Sequence, residues 1–161
     1  MEMKPEIIEV LKKIDFPTRY KKLSDSSREN GKDVKDRMYE YDVEKIKEIL
    51  NDLGYEASFD KKEKFFKVGV VDHSPRYSIW FNLILEGGRT TFVWTVFRNK
   101  EVRLGRPWIA YSKHIENPNE KIRTPVYRSY KELEVILREA FVLYEDFKRE
   151  LIAIYEKEDD K

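Results

Sequence analysis

From Pro5 to Ile14 the apolar residues Ile7, Ile8, Val10, Leu11 and Ile14 recur at helical spacing, with Pro5 suited to a first turn, so a short amphipathic helix is predicted there. Residues 15–40 turn polar, and the run Ser24 to Asp33 holds no apolar side chain. They read as a mobile loop, either a plain linker or a functional segment, to which Val34 to Tyr41 would add at most a helical turn. Val43, Ile46, Leu50 and Leu53 then form one stripe, with Asp42 placed to cap it and Gly54 placed to end it, which predicts a second helix.

After Gly54 the period changes to two. Tyr55, Ala57 and Phe59 alternate with polar residues, Lys61 to Lys64 make a charged turn, and Lys64 to Val71 reads as the returning strand. Beyond the break at Asp72 to Pro75, Tyr77, Ile79, Phe81, Leu83 and Leu85 alternate along a long third strand. Gly87-Gly88 suits a two-residue hairpin turn with positive φ at both positions. That turn pairs Leu83 with Phe92, Phe81 with Trp94 and Ile79 with Val96. Asn99-Lys100 offers a second tight turn, pairing Phe97 with Val102 and Thr95 with Leu104. On this register both faces of the sheet are apolar: the second would gather Trp80, Ile84, Val93, Phe97, Val102 and Leu104. A sheet with one wet face should be polar at alternate residues, so something must cover that face: the same chain, a partner or a ligand.

Between Arg106 and Arg128 three prolines break regular structure while Trp108, Tyr111 and Tyr127 remain as anchors, which reads as an ordered connection. Ser129 with Glu132 makes a capping box, opening a last helix that runs to about Lys157. Its positions Leu133, Leu137, Ala140, Tyr144, Phe147, Leu151 and Ile154 form a seam. A helix of that length outruns the strands, so its end either packs on the N-terminal helix or pairs with a second subunit as a homodimer. Residues 156–161 are expected to fray.

The pattern defines an α+β fold: N-terminal helices, a five-stranded antiparallel meander and a long C-terminal helix. With 161 residues, the chain fits one α+β domain over 1–161. Cations and carboxylates balance at 32 against 31, for a net charge of +1, which argues against a dedicated nucleic-acid binder. There is no cysteine, hence no thiol chemistry and no disulfide framework. No window is apolar enough for a membrane span or a signal peptide, and a cytoplasmic location with no membrane partner is expected.

No catalytic constellation stands out. His73 and His114 lack metal-ligand spacing, Gly87-Gly88 joins two strands instead of leading into a helix, and no Ser sits in a nucleophile elbow. Neither cofactor nor metal is expected. The best polar cluster is Arg89, Arg98, Lys100, Arg103 and Arg106, interleaved with Trp94, Phe97 and Trp108. It reads as a protein interface, as edge-strand charges, or, more weakly, as a single-stranded nucleic-acid platform.

In element order alone the chain resembles small bacterial chaperone-like and immunity-type proteins. That resemblance implies binding of another polypeptide without catalysis, and no motif transfers a site. The first functional reading is therefore a non-enzymatic protein-interaction module using Trp80, Phe97, Val102, Leu104, Arg98, Arg103, Arg106 and Trp108. The alternative is a small-molecule or nucleotide pocket between sheet and last helix, rimmed by Arg98, Arg103, Trp94 and Tyr111.

Overall fold

The computed structural model describes residues 3–28, 36–116, 119 and 121–160. Helix α1 (Pro5–Lys13) forms as its apolar spacing predicts and buries Ile7, Val10 and Leu11. The segment expected to be a loop from Asp15 is instead helical, as α2 (Phe16–Ser26). Asp15, in the left-handed conformation at φ 56°, turns the chain between α1 and α2. Phe16, Tyr20 and Leu23, spaced four and three apart, then bury one stripe of an otherwise polar helix. Part of the predicted loop, 29–35, lies outside the described residues. Residues 36–41 are not helical, and the Met38 amide donates to the Tyr127 carbonyl at 3.0 Å.

Helix α3 (Val43–Asp52) is capped by the Asp42 carboxylate, which accepts from the Glu44 amide. The strands are β1 (Ala57–Asp60), β2 (Phe65–His73), β3 (Tyr77–Glu86), β4 (Arg89–Arg98) and β5 (Glu101–Leu104), in one antiparallel sheet of order β1-β2-β3-β4-β5. The β3–β4 register is the predicted one, with Leu83 opposite Phe92, Phe81 opposite Trp94 and Ile79 opposite Val96. Gly87 and Gly88 take φ 60° and 72°, and Asn99 and Lys100 take φ 50° and 70°, so both two-residue turns have the positive φ that matches strand twist.

Phe97 pairs with Val102 as expected, but Leu104 lies opposite Val96, not Thr95, because the pairing shifts between Val96 and Phe97. The aromatic connection also contains a helix, α4 (Trp108–Ile115), where only irregular structure was expected. Pro107 precedes it, and Trp108, Tyr111 and Ser112 are its buried residues. Further along, the Pro125 carbonyl accepts from Thr90 and the Tyr127 amide donates to Gly88, so this stretch lies along the start of β4.

Helix α5 (Tyr130–Asp159) spans 30 residues, about 45 Å. Ser129 caps it by accepting from the Glu132 amide, and the Glu132 carboxylate accepts from the Arg128 amide. Its seam faces inward: Leu133, Leu137, Ala140, Tyr144, Phe147 and Leu151 are all fully buried within this chain. Of the tail expected to fray, residues 156–159 belong to α5 and are met by arginines from the sheet, and residue 161 lies outside the described residues.

The helices contribute their buried residues to one cluster with the inner sheet face. Trp94 is its centre, stacked on Phe147 at 4.2 Å and edge-on to Trp108 at 4.9 Å and Phe16 at 5.6 Å. The pairing shift in β2 between Val68 and Val71 belongs to the same packing. There Gly69, at φ 61°, brings its carbonyl to the Tyr144 hydroxyl, and a Cβ on it would sit 2.7 Å from the Tyr144 ring.

Two glycines with positive φ therefore differ in what a methyl group would meet. Gly87→Ala, with nothing within 4 Å, should lose about 1 kcal/mol. Gly69→Ala should lose roughly 2–4 kcal/mol, because overpacking against a buried ring adds to the backbone strain. Urea unfolding of both variants measures the difference, and equal losses would mean that the Tyr144 contact does not constrain the bulge.

Candidate functional site: the outer face of the sheet

Residues alternate across a strand, so the register assigns each side chain to a face. Tyr77, Ile79, Phe81, Leu83 and Leu85 on β3, with Phe92, Trp94 and Val96 on β4, point inward and are buried. Their neighbours point the other way. Trp80, Ile84, Val93 and Phe97, with Phe65 of β2, are only half-buried and lie outside the buried cluster and the residues packed on it. Val102 of β5, opposite Phe97, is 48% exposed.

The face has internal order. Phe97 stacks on Trp80 with centroids 5.6 Å apart and planes 15° apart. From the other side, β2 brings the Lys67 ammonium to 4.1 Å from the Trp80 ring centroid. Lys67 sits opposite Asn82 in the ladder, and the Asn82 amide donates to the Thr95 hydroxyl at 3.2 Å. The result is a patch of aromatic and branched side chains with a few short polar groups and one central cation.

The eight residues singled out from sequence divide into three groups. Trp80, Phe97 and Val102 are brought together on the outer face. Leu104 and Trp108 do not join them: the pairing shift puts Leu104 on the inner face beside Val96, and α4 carries Trp108 into the core, where they are 3% and 1% exposed. The arginines serve mostly as straps. Arg103 pairs with both Glu6 oxygens at 2.7 Å, and Glu6 also accepts from the Tyr155 hydroxyl. Arg98 lies 4.5 Å from the Tyr155 ring centroid and pairs with Asp159 and Glu158. Arg106 is exposed, beside a small cleft with Met3, Ala110 and His114.

Lys67 and Asn82 were not singled out from sequence. Their signal is positional, since both occupy outward slots of alternating strands, but Lys67 is one of many lysines and its place above Trp80 depends on the β2–β3 register.

The pocket proposed from sequence between sheet and last helix would need Trp94 and Tyr111 on its rim. Both are fully buried, and the Tyr111 hydroxyl closes on the backbone of Trp94. Two larger clefts open elsewhere: one of about 450 Å³ beside Tyr55, Gly69 and Lys148, and one of about 650 Å³ beside Tyr39, Phe59 and Ile84. Desolvation pushes the Tyr111 and Tyr144 hydroxyls far above the usual phenol range, so neither supplies a ready proton-transfer group. Among the described residues no three His, Asp or Glu side chains converge as a metal site, and no helix is long and apolar enough to cross a membrane. Comparison with protein-family models, with curated proteins and with solved structures finds no match to this chain.

The straps have an acid limit. Hydrogen bonds from Arg98 and then Arg76 hold the Asp159 carboxyl at about 2, against an ordinary 3.8. Hydrogen bonds from Tyr77 and Arg76 lower Glu156 as well. A carboxyl lowered by folding stabilises the native state above its unfolded value and loses that effect as pH falls through its folded value. The tail of α5 should therefore stay docked above about pH 4 and release towards pH 2. In Arg98→Gln, carbonyl NMR should show the Asp159 titration moving up from about 2 towards 3.8, and an unmoved titration would remove Arg98 as its cause.

Proposed function

We propose that this chain is a non-enzymatic protein-binding module whose docking surface is the outer face of the sheet. The observation that carries this reading is the Trp80–Phe97 stack on a face that no buried helix stripe covers among the described residues. Water-exposed apolar patches of that extent are uncommon on monomers unless they bind something. Aromatic residues near the middle of a patch with a polar rim are the usual composition of a protein contact. Absence of cysteine suits a reducing, cytoplasmic setting, which belongs to the same proposal.

The arrangement favours a polypeptide over a single-stranded nucleic acid. Trp80 is flanked by Phe97 and Lys67, which leaves its ring poorly placed to stack a base. Arg98 and Arg103 are paired to carboxylates of this chain instead of standing free for phosphates.

Of the three tryptophans, Trp94 and Trp108 are buried, so acrylamide-quenchable emission should come from Trp80 and vanish in Trp80→Phe. A benzoylphenylalanine photocrosslinker at position 97 should then form adducts with polypeptide in cells making the full chain. The same probe at Val142, an exposed residue on α5, serves as background. No polypeptide adduct at 97 above that background, or oligonucleotide binding at low salt that Trp80→Ala abolishes, would overturn the reading.

A further inference from the structure

The α5 seam, the sequence's other candidate for self-association, is occupied by this chain's own core, so any second copy must meet a different surface. The outer face has the right extent. Strands β2, β3 and β4 run for 9, 10 and 10 residues and are flanked by two strands of 4 residues. At about 3.3 Å per residue and about 4.8 Å between strands, that makes a face of roughly 600 Å² in projection. Two such faces in contact remove about 1,200 Å² even before side-chain relief is counted, which reaches the lower bound for specific interfaces.

The charges on the face are of both signs. The register puts Lys67 and Arg89 among the outward positions, together with the carboxylates Asp60, Asp72 and Glu86. A surface so balanced selects no strongly acidic or basic partner. A twofold axis running along the strands between β3 and β4 would set Glu86 of one copy against Arg89 of the other while apolar centre meets apolar centre. The chain as a whole carries only +1, so two copies meet without net repulsion.

We infer that the outer face docks a second copy of this chain, sheet against sheet about a twofold axis, an inference that rests on the protein-binding reading of that face. Aligned sheet packing is the geometry by which two twisted sheets bury such faces, with strands crossing at roughly 30°. Trp80, Phe97 and Val102 would lie in the buried centre, and Lys67 would remain over Trp80 with its ammonium turned towards a carboxylate of the other copy.

The test is light scattering coupled to size exclusion on the purified full chain, over a wide concentration range. The expected result is a dimer that dissociates on dilution with a micromolar constant. Phe97→Glu and Val102→Glu should each raise that constant at least about tenfold, whereas Val142→Glu on α5 should leave it unchanged. Both substituted positions lie outside the buried cluster, so unaltered near-ultraviolet circular dichroism should show that the variants fold. A monomer at every concentration, or a dimer insensitive to both glutamates, overturns the inference. The photocrosslinker at position 97 separates the two levels. A monomeric chain that still forms adducts with another polypeptide in cells defeats only the second-copy inference, and absence of any adduct defeats the protein-binding reading as well.

Discussion

The sheet is apolar on both faces, and this chain puts the buried stripes of all its described helices on one side. That constraint organises the molecule. The inner face holds Phe81, Phe92, Trp94 and Val96, and the surfaces that meet it are as aromatic as it is: Phe16 from α2, Trp108 and Tyr111 from α4, and Tyr144 and Phe147 from α5. Each buried ring contributes a large desolvation gain and accepts edge-on neighbours, so a core built of rings tolerates few rearrangements. The tight approach at Gly69 is one sign of that density, because even a methyl group there would meet the Tyr144 ring.

Once the core is fixed, the polar contacts decide how the ends of the long helix sit. At its start, Ser129 and Glu132 satisfy free backbone amides. At its end, Arg76 and Arg98 from the β3 and β4 ends of the sheet take Glu156, Glu158 and Asp159, and the Arg103–Glu6–Tyr155 group joins α1, β5 and α5. The exposed pairs of Arg76 add little net stability one by one, whereas Arg103 and Glu6 are largely buried. The effect of the pairs at the helix end is positional, because two arginines sharing Asp159 tie the last turn of a helix about 45 Å long to the strand ends, while its buried seam sets the rest. The arginines that the sequence reading places at the border of an interface are therefore largely engaged with the chain's own helices.

What was legible in the sequence follows how local the signal is. Both hairpin turns are set by two residues each, and Gly87-Gly88 fixed the β3–β4 pairing correctly to the residue. The caps at Asp42 and Ser129 are equally local. Helix α2 was missed because Phe16, Tyr20 and Leu23 are the only large apolar side chains of its buried stripe, and that sparse pattern resembles a loop until α4 and α5 close over it. Helix α4 was missed because Pro107 and the prolines that follow dominate the local reading, although a proline just before a helix is compatible with one. Of the proposed surface, Trp80, Phe97 and Val102 followed from strand parity alone. Leu104 and Trp108 were misplaced because parity fails at a bulge and at a helix that sequence spacing did not reveal.

The pairing shift between Val96 and Phe97 shapes the outer face as well as the ladder. A strict ladder would set Leu104 opposite Thr95 and add a second large aliphatic group to the outer patch. By adding one residue to β5, the chain sends Leu104 inward to close the core beside Val96 and leaves Val102 beside Phe97. The same shift frees Arg103 to leave the sheet plane and strap Glu6. One inserted residue thus separates the two jobs of the fifth strand, sealing the covered face and bordering the open one. The outer patch is limited by this to the stack, its branched neighbours and Lys67, with Val102 as its border on β5.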